Sequence, residues 1–264
     1  MRTLNIVLIS LFLSSCSVTS TSIAPTQTKG TTQVATRTVI PSLTSTPDLK
    51  GTQIAEFGAT QTAQVAKAYA TKKAQAGQAT NLLGEIMRVS SEIEGLDLGT
   101  PKLVFGPESG SLTHVIDNKV TAANSNLSLK NFIVHITFIN PYDASTTGTW
   151  DYGILFRDEY QNNQYRLTLL SNQSWTLVDA RTWTDIFSKN DKYLTAMAGE
   201  ENTVWLIVQD TKAYLFINGS YTQLLDVSAK VTSGDISAAT GLYYGNETVK
   251  KTTKFHNFLV WSLP

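Results

Sequence analysis

The chain has 264 residues, 42% hydrophobic and 16% charged, with 21 Lys+Arg set against 21 Asp+Glu. Length alone accommodates one large domain or two small ones, and zero formal charge leaves no global field to draw nucleic acid or anionic lipid. A single cysteine excludes an intrachain disulfide, so an apolar core must hold whatever folds.

The first residues read as an export signal. Arg2 supplies a positive start, and Leu4 to Leu13 form an apolar run too short for the roughly 20 residues a membrane-spanning helix needs. The run ends in Leu13-Ser14-Ser15-Cys16, which resembles the lipobox of bacterial lipoproteins. That resemblance implies a signal peptide over residues 1–15, removed on export, and a diacylglycerol on the Cys16 thiol. The mature protein would then be lipid-anchored and extracytoplasmic in a bacterial cell envelope, on the outer face of the plasma membrane or on the outer membrane. Acyl chains contribute about 0.8 kcal/mol per buried CH₂, so several chains on one cysteine anchor stably. Ser17 in place of Asp favours the outer membrane if the organism has two. An ordinary signal peptide followed by a chance cysteine is the alternative.

Residues 16–50 are dominated by Thr, Ser and Pro, with isolated apolar residues in no period. Such a stretch buries too little surface to offset its ordering entropy, which predicts a disordered linker with a reach of about 30 Å. Residues 51–100 turn rich in Ala, Gln, Lys and Glu, all helix formers. Ile54, Phe57, Val65, Ala68 and Tyr69, then Leu82, Leu83, Ile86, Met87 and Val89, make a patchy apolar stripe. The pattern predicts a partly helical spacer whose last turns pack on the following domain, with a coiled coil as the alternative. Gly95, Gly99 and Pro101 end any helix.

From residue 101 to 264 the period becomes two. Phe132, Val134, Ile136 and Phe138 alternate with Ile133, His135, Thr137 and Ile139, and further strand-length segments follow. Turn clusters separate them, Asn218-Gly219 among them, a pair that favours a tight hairpin. Around ten short antiparallel strands without helical interruption predict an all-β fold of two packed antiparallel sheets. Along one strand Tyr152, Ile154 and Phe156 share a face that reads as core, while Gly153, Leu155 and Arg157 share the other. Trp175, Trp205 and Trp261 also read as sandwich core, and His135 as facing solvent.

The succession Trp150-Asp151-Tyr152-Gly153-Ile154-Leu155-Phe156-Arg157, Gln164-Tyr165-Arg166-Leu167 and Ser174-Trp175-Thr176-Leu177 resembles the concanavalin A-like lectin/glucanase superfamily. Val204 to Val208, Ala213 to Gly219, Ser233 to Ile236 and Thr240 to Leu242 continue the likeness, which is strongest to laminin-G-type and sugar-hydrolase-associated jelly rolls and covers roughly residues 103–263. The resemblance implies a jelly-roll sandwich whose concave face or rim loops often hold sugar or protein. Fold alone does not establish a ligand.

Chemistry narrows the choice. Glycoside hydrolysis needs two carboxylates flanking the scissile bond. The glucanases of this superfamily carry them as Glu-x-Asp-x-x-Glu, a spacing absent from this sequence. His114, His135 and His256 have no zinc-ligand spacing, and no pattern calls for a cofactor. Asp143, Asp151 and Asp158 are the oxygen donors a calcium ion would take, or else turn-capping carboxylates. No nucleophile elbow or phosphate loop is present. The expectation is therefore a binding module without catalytic activity, for carbohydrate or cell-envelope glycan, with a protein-interaction or structural scaffold as the alternative. Sugar sites pair a flat aromatic with a few polar groups, which selects Tyr142, Trp150, Asp151, Arg157, Arg166 and Trp183, with Tyr243-Tyr244 as a further aromatic pair. Expected partners are the membrane through Cys16 and a glycan or envelope protein, with no nucleic acid.

Overall fold

A computed structural model describes residues 49–264 apart from 117–118, 160–162, 244, 246–247 and 249, with side chains from residue 60 onward. The signal-peptide reading, Cys16 and most of the Ser/Thr/Pro-rich linker lie outside the described residues, as does Tyr244. The first element is helix α1, Leu49–Ser90. The strands follow as β1 (Lys102–Thr113), β2 (Thr121–Asn124), β3 (Phe132–Ile139), β4 (Asp151–Asp158), β5 (Tyr165–Leu170) and β6 (Ser174–Asp179). They continue as β7 (Thr184–Asn190), β8 (Glu201–Gln209), β9 (Lys212–Ile217), β10 (Ser220–Asp226), β11 (Asp235–Thr240) and β12 (Thr252–Ser262). A single helical turn, α2 (Ala144–Thr147), sits between β3 and β4.

The strands form two six-stranded antiparallel sheets, ordered β1-β12-β3-β8-β9-β10 (sheet 1) and β2-β11-β4-β5-β6-β7 (sheet 2). This is the all-β two-sheet sandwich that the period-two pattern predicts, and it is consistent with the jelly roll that the resemblance implies. Inward residues of β3, Phe132, Val134, Ile136 and Phe138, meet Tyr152, Ile154 and Phe156 of β4. Phe138 stacks on Tyr152 at 4.6 Å, and Phe132 meets Phe156 edge-on at 6.1 Å. Each large apolar side chain buried this way contributes about 1.5–3 kcal/mol. Trp175 lies in this core, as predicted from its strand.

Trp205 and Trp261 do not. They lie on the outer face of sheet 1 with Ile133, Ile207, Tyr214, Phe216 and Leu259, stacked on each other at 5.7 Å. The last turns of α1 cover them through Ala79, Leu82, Leu83, Ile86 and Met87. The reason is readable in β8: Val204 to Val208 is an unbroken apolar run, the mark of a strand buried on both faces. His135 shares that outer face and is buried beneath the same cover, at 2% exposure, instead of facing solvent.

Arg157 is a second correction. It sits at a register shift of β4 against β11, with φ at 51°, and is fully buried. Its guanidinium donates to Lys130 O at 3.0 Å, Asp210 O at 2.6 Å, Lys230 O at 2.5 Å and Val227 O at 3.3 Å. Lys130 precedes β3 and Asp210 lies in the turn between β8 and β9, all strands of sheet 1, and Val227 and Lys230 belong to the link between β10 and β11. A sheet 2 side chain thus pins the turns of sheet 1, and no part of it is left for a ligand. Arg157→Met should lower unfolding free energy by at least about 3 kcal/mol in urea denaturation, because several buried carbonyls lose their donors at about 1–3 kcal/mol each.

Candidate functional site

Among the described residues no helix packs on the outer face of sheet 2, where the strands place mostly polar or small residues beside an apolar patch of Leu155, Ala239 and Leu242. Arg166 and Thr168 of β5 and Val178 of β6 alternate with the core residues Tyr165, Leu167, Leu169 and Leu177, so they point outward. Two loops rise beside them. The β6–β7 hairpin brings Trp183 and Asp185, and the segment after β11 brings Leu242 and Tyr243. Together they line a cavity of about 340 Å³.

The loop after β11 is set by two features. Gly241 has φ at 71°, and a Cβ there would collide with His114 Nδ1, so only glycine passes this point. The Asp151 carboxylate then accepts from the amides of Leu242 at 2.8 Å and Tyr243 at 3.0 Å. Asp151 is fully buried and is not among the described residues lining this cavity; it positions the wall.

Trp183 is the most exposed tryptophan, at 61%, and its backbone is left-handed with φ at 52°. A bulky residue in that region costs about 1–2 kcal/mol, and strain of this kind gathers at functional sites. The Arg166 guanidinium lies 4.7 Å from the centroid of its ring and donates to Leu242 O at 3.3 Å. Arg166 is 6% exposed, and burial lowers its pKa from the ordinary arginine value, partly opposed by the charges of Asp158 and Asp151. Burial, then Asp185, raises the Tyr243 phenol above its usual range. The cavity therefore joins an aromatic face to a guanidinium, a phenol, a carboxylate and a threonine hydroxyl. That mixture suits a small polyhydroxylated ring with one apolar face.

Of the residues selected from sequence, Arg166 and Trp183 come together here. Tyr142 and Trp150 do not. Trp150 is 1% exposed, stacked on Tyr152 at 5.0 Å, with its Nε1 donating to Tyr142 O at 3.0 Å. Tyr142 is buried at the same corner, its hydroxyl donating to Thr149 O and accepting from Thr248 N. Both are core. The three aspartates weighed as calcium donors are also separated. Asp143 caps α2 through Ser145 N and Oγ, while Asp151 and Asp158 sit at opposite ends of β4, about 23 Å apart. Among the described residues no group of three or more His, Cys, Asp or Glu gathers for a metal. Asp185 and Thr168 were not selected from sequence; Thr168 could have been found by extending the outward parity of Arg166 by one step along β5.

No family model and no curated protein matches the sequence. Among solved structures, the chain is similar to a carbohydrate-binding module, CBM66, from Bacillus subtilis, at 10% identity over 62% of this chain and 92% of that one, with a TM-score of 0.44. It is similar to a Bacillus subtilis protein of unknown function with a galectin-like fold, at 14% identity over 63% and 89%, with a TM-score of 0.43. It is also similar to a fructosyltransferase from A. japonicus, at 14% identity and a TM-score of 0.44, over 63% of this chain but only 27% of that one. At these levels the likeness carries nothing about ligand or activity.

Because Trp183 is exposed and strained, replacing it should leave stability almost unchanged. Trp183→Asn relieves about 1 kcal/mol of backbone strain and loses about 0.5–1 kcal/mol of cation–π attraction. Urea denaturation should place the variant within about 1 kcal/mol of the wild type, whereas a tryptophan that served the core would cost about 3–5 kcal/mol.

Proposed function

We propose that the chain is a non-catalytic carbohydrate-binding module, held at a bacterial cell envelope by lipid on Cys16. The observation that carries the binding reading is Trp183: a large exposed aromatic, held in a strained backbone beside Arg166, Asp185 and Tyr243 at the mouth of one cavity. The aromatic face covers the apolar side of a pyranose or furanose ring, and the polar groups fix its hydroxyls. Among the described lining residues Asp185 is the one carboxylate, where hydrolysis uses two; Asp151 spends both oxygens on backbone amides. That supports binding without bond cleavage. The envelope reading rests on Leu13-Ser14-Ser15-Cys16 and on the Ser/Thr/Pro-rich stretch behind it, which would hold the sandwich clear of lipid headgroups.

A glycan array followed by titration calorimetry tests the binding. Saturable retention of at least one glycan is expected, weakened at least about 30-fold in Trp183→Ala, the size of loss common when a central tryptophan is truncated. Trp150→Phe should leave affinity unchanged. Absence of any retention, with recovery of an envelope protein on the same surface, would move the reading to a protein-interaction scaffold. Separately, Cys16→Ala should shift the protein from the membrane fraction to the soluble fraction, and membrane attachment that survives the substitution would remove the anchor.

A further inference from the structure

The seam between α1 and sheet 1 contains a buried imidazole that the binding site does not use. His135 lies with its ring 4.2 Å from that of Trp205 and its Nδ1 2.9 Å from Asn257 O. A carbonyl only accepts, so Nδ1 carries the hydrogen and the neutral ring keeps Nε2 as an acceptor. Asn257 occupies a bulge of β12, between His256 and Leu259, with φ at 54°. Its side-chain Oδ1 accepts from Gln78 Nε2 of α1 at 2.8 Å. One residue thus holds both the imidazole and the helix.

Beside them opens a cavity of about 470 Å³, lined by His135, Trp205, Glu201, His256 and, from the helix, Leu82 and Glu85. It gives water and protons a route to the seam. The charged groups facing His135 are His256 of β12, which meets Glu201 of β8 at 3.0 Å, and Glu85 of α1; the neighbour Thr137 on β3 itself is neutral. A proton on His135 would place a cation under the helix, next to a second imidazole, with Glu201 already engaged by His256.

We propose that the docking of α1 on sheet 1 is loosened by acid, with His135 as the titrating group at the seam. In the docked state burial holds its pKa down to about 4, the Asn257 carbonyl opposing and the His256 charge adding to the shift. The docked state therefore binds the proton less readily than an undocked state in which His135 has its ordinary value of 6.5. Docking keeps its full strength above that ordinary value and loses it as pH falls towards 4. At about pH 5 the undocked form gains roughly 30-fold over the docked one. The consequence is a freer head on its helix and transient exposure of the Trp205–Trp261 face.

Hydrogen exchange on the full chain, expressed as protection factors at about pH 7.5 and about pH 5, reads this directly. Protection of amides from Ala79 to Ser90 should fall roughly 30-fold in acid while β4, β5 and β6 hold theirs. His135→Gln, which keeps an N–H for the Asn257 carbonyl and does not titrate, should flatten the response; His256→Gln should leave most of it. Unchanged helix protection, loss shared with the sheet 2 strands, or a response that persists in His135→Gln overturns the proposal. Should His135→Gln fail to fold, an NMR titration of the wild-type imidazole decides: a pKa well below the ordinary value supports it, and an ordinary value overturns it.

Discussion

A sheet that is apolar on both faces must be covered twice, and sheet 1 is such a sheet. Its inner face meets sheet 2 through Phe132, Val134, Leu206 and Val260, and its outer face presents Trp205, Trp261, Tyr214 and Phe216. Left in water, that outer face would be an apolar patch of the kind that drives association. The last turns of α1 remove it. The helix has little apolar surface of its own, so its ordering depends on this docking more than on propensity.

Sheet 2 is covered differently. Its inner face is apolar like that of sheet 1, while its outer face sets Arg166, Thr168, Thr176 and Ser237 beside a small apolar patch of Leu155, Ala239 and Leu242. Among the described residues loops close over it, with Asp151 tying the 242–243 wall, while Arg157 ties sheet 2 to the turns of sheet 1. Such groups are tolerated inside because their hydrogen bonds are made. They give the cavity a fixed frame against which an exposed tryptophan can be held in a backbone conformation it would not choose.

Alternation made the sandwich legible, since Phe132 to Phe138 and Tyr152 to Phe156 each place every second residue in one core. The same rule, carried one step back from Tyr152, places Trp150 inside; choosing it as a ligand residue for its nearness to a loop set the rule aside. Asp151 and Arg157 do have outward parity, but parity says nothing about what lies above a strand. A loop distant in sequence covers Asp151, and a register shift turns Arg157 into the turns of sheet 1. Arg166 has outward parity with neither complication, and it reaches the cavity. The second cover over Trp205 and Trp261 was harder to read, because a run apolar at every position marks burial on both faces without naming what supplies the second face. The stripe through Leu82 to Met87 was the complementary signal, thin because only a few turns make contact.

This division of labour decides which substitutions can separate binding from folding. Asp151 holds the wall through backbone amides, and its removal would leave those amides without acceptors in a buried place, so fold and wall would fail together. Arg166 is mixed, with a buried stem and a head against Trp183. Among the described residues lining the cavity, Trp183 alone has a left-handed backbone, and it stands outside every core cluster. A side chain that stability does not require, in a conformation that stability disfavours, is the physical basis for proposing the cavity beside it as a binding site.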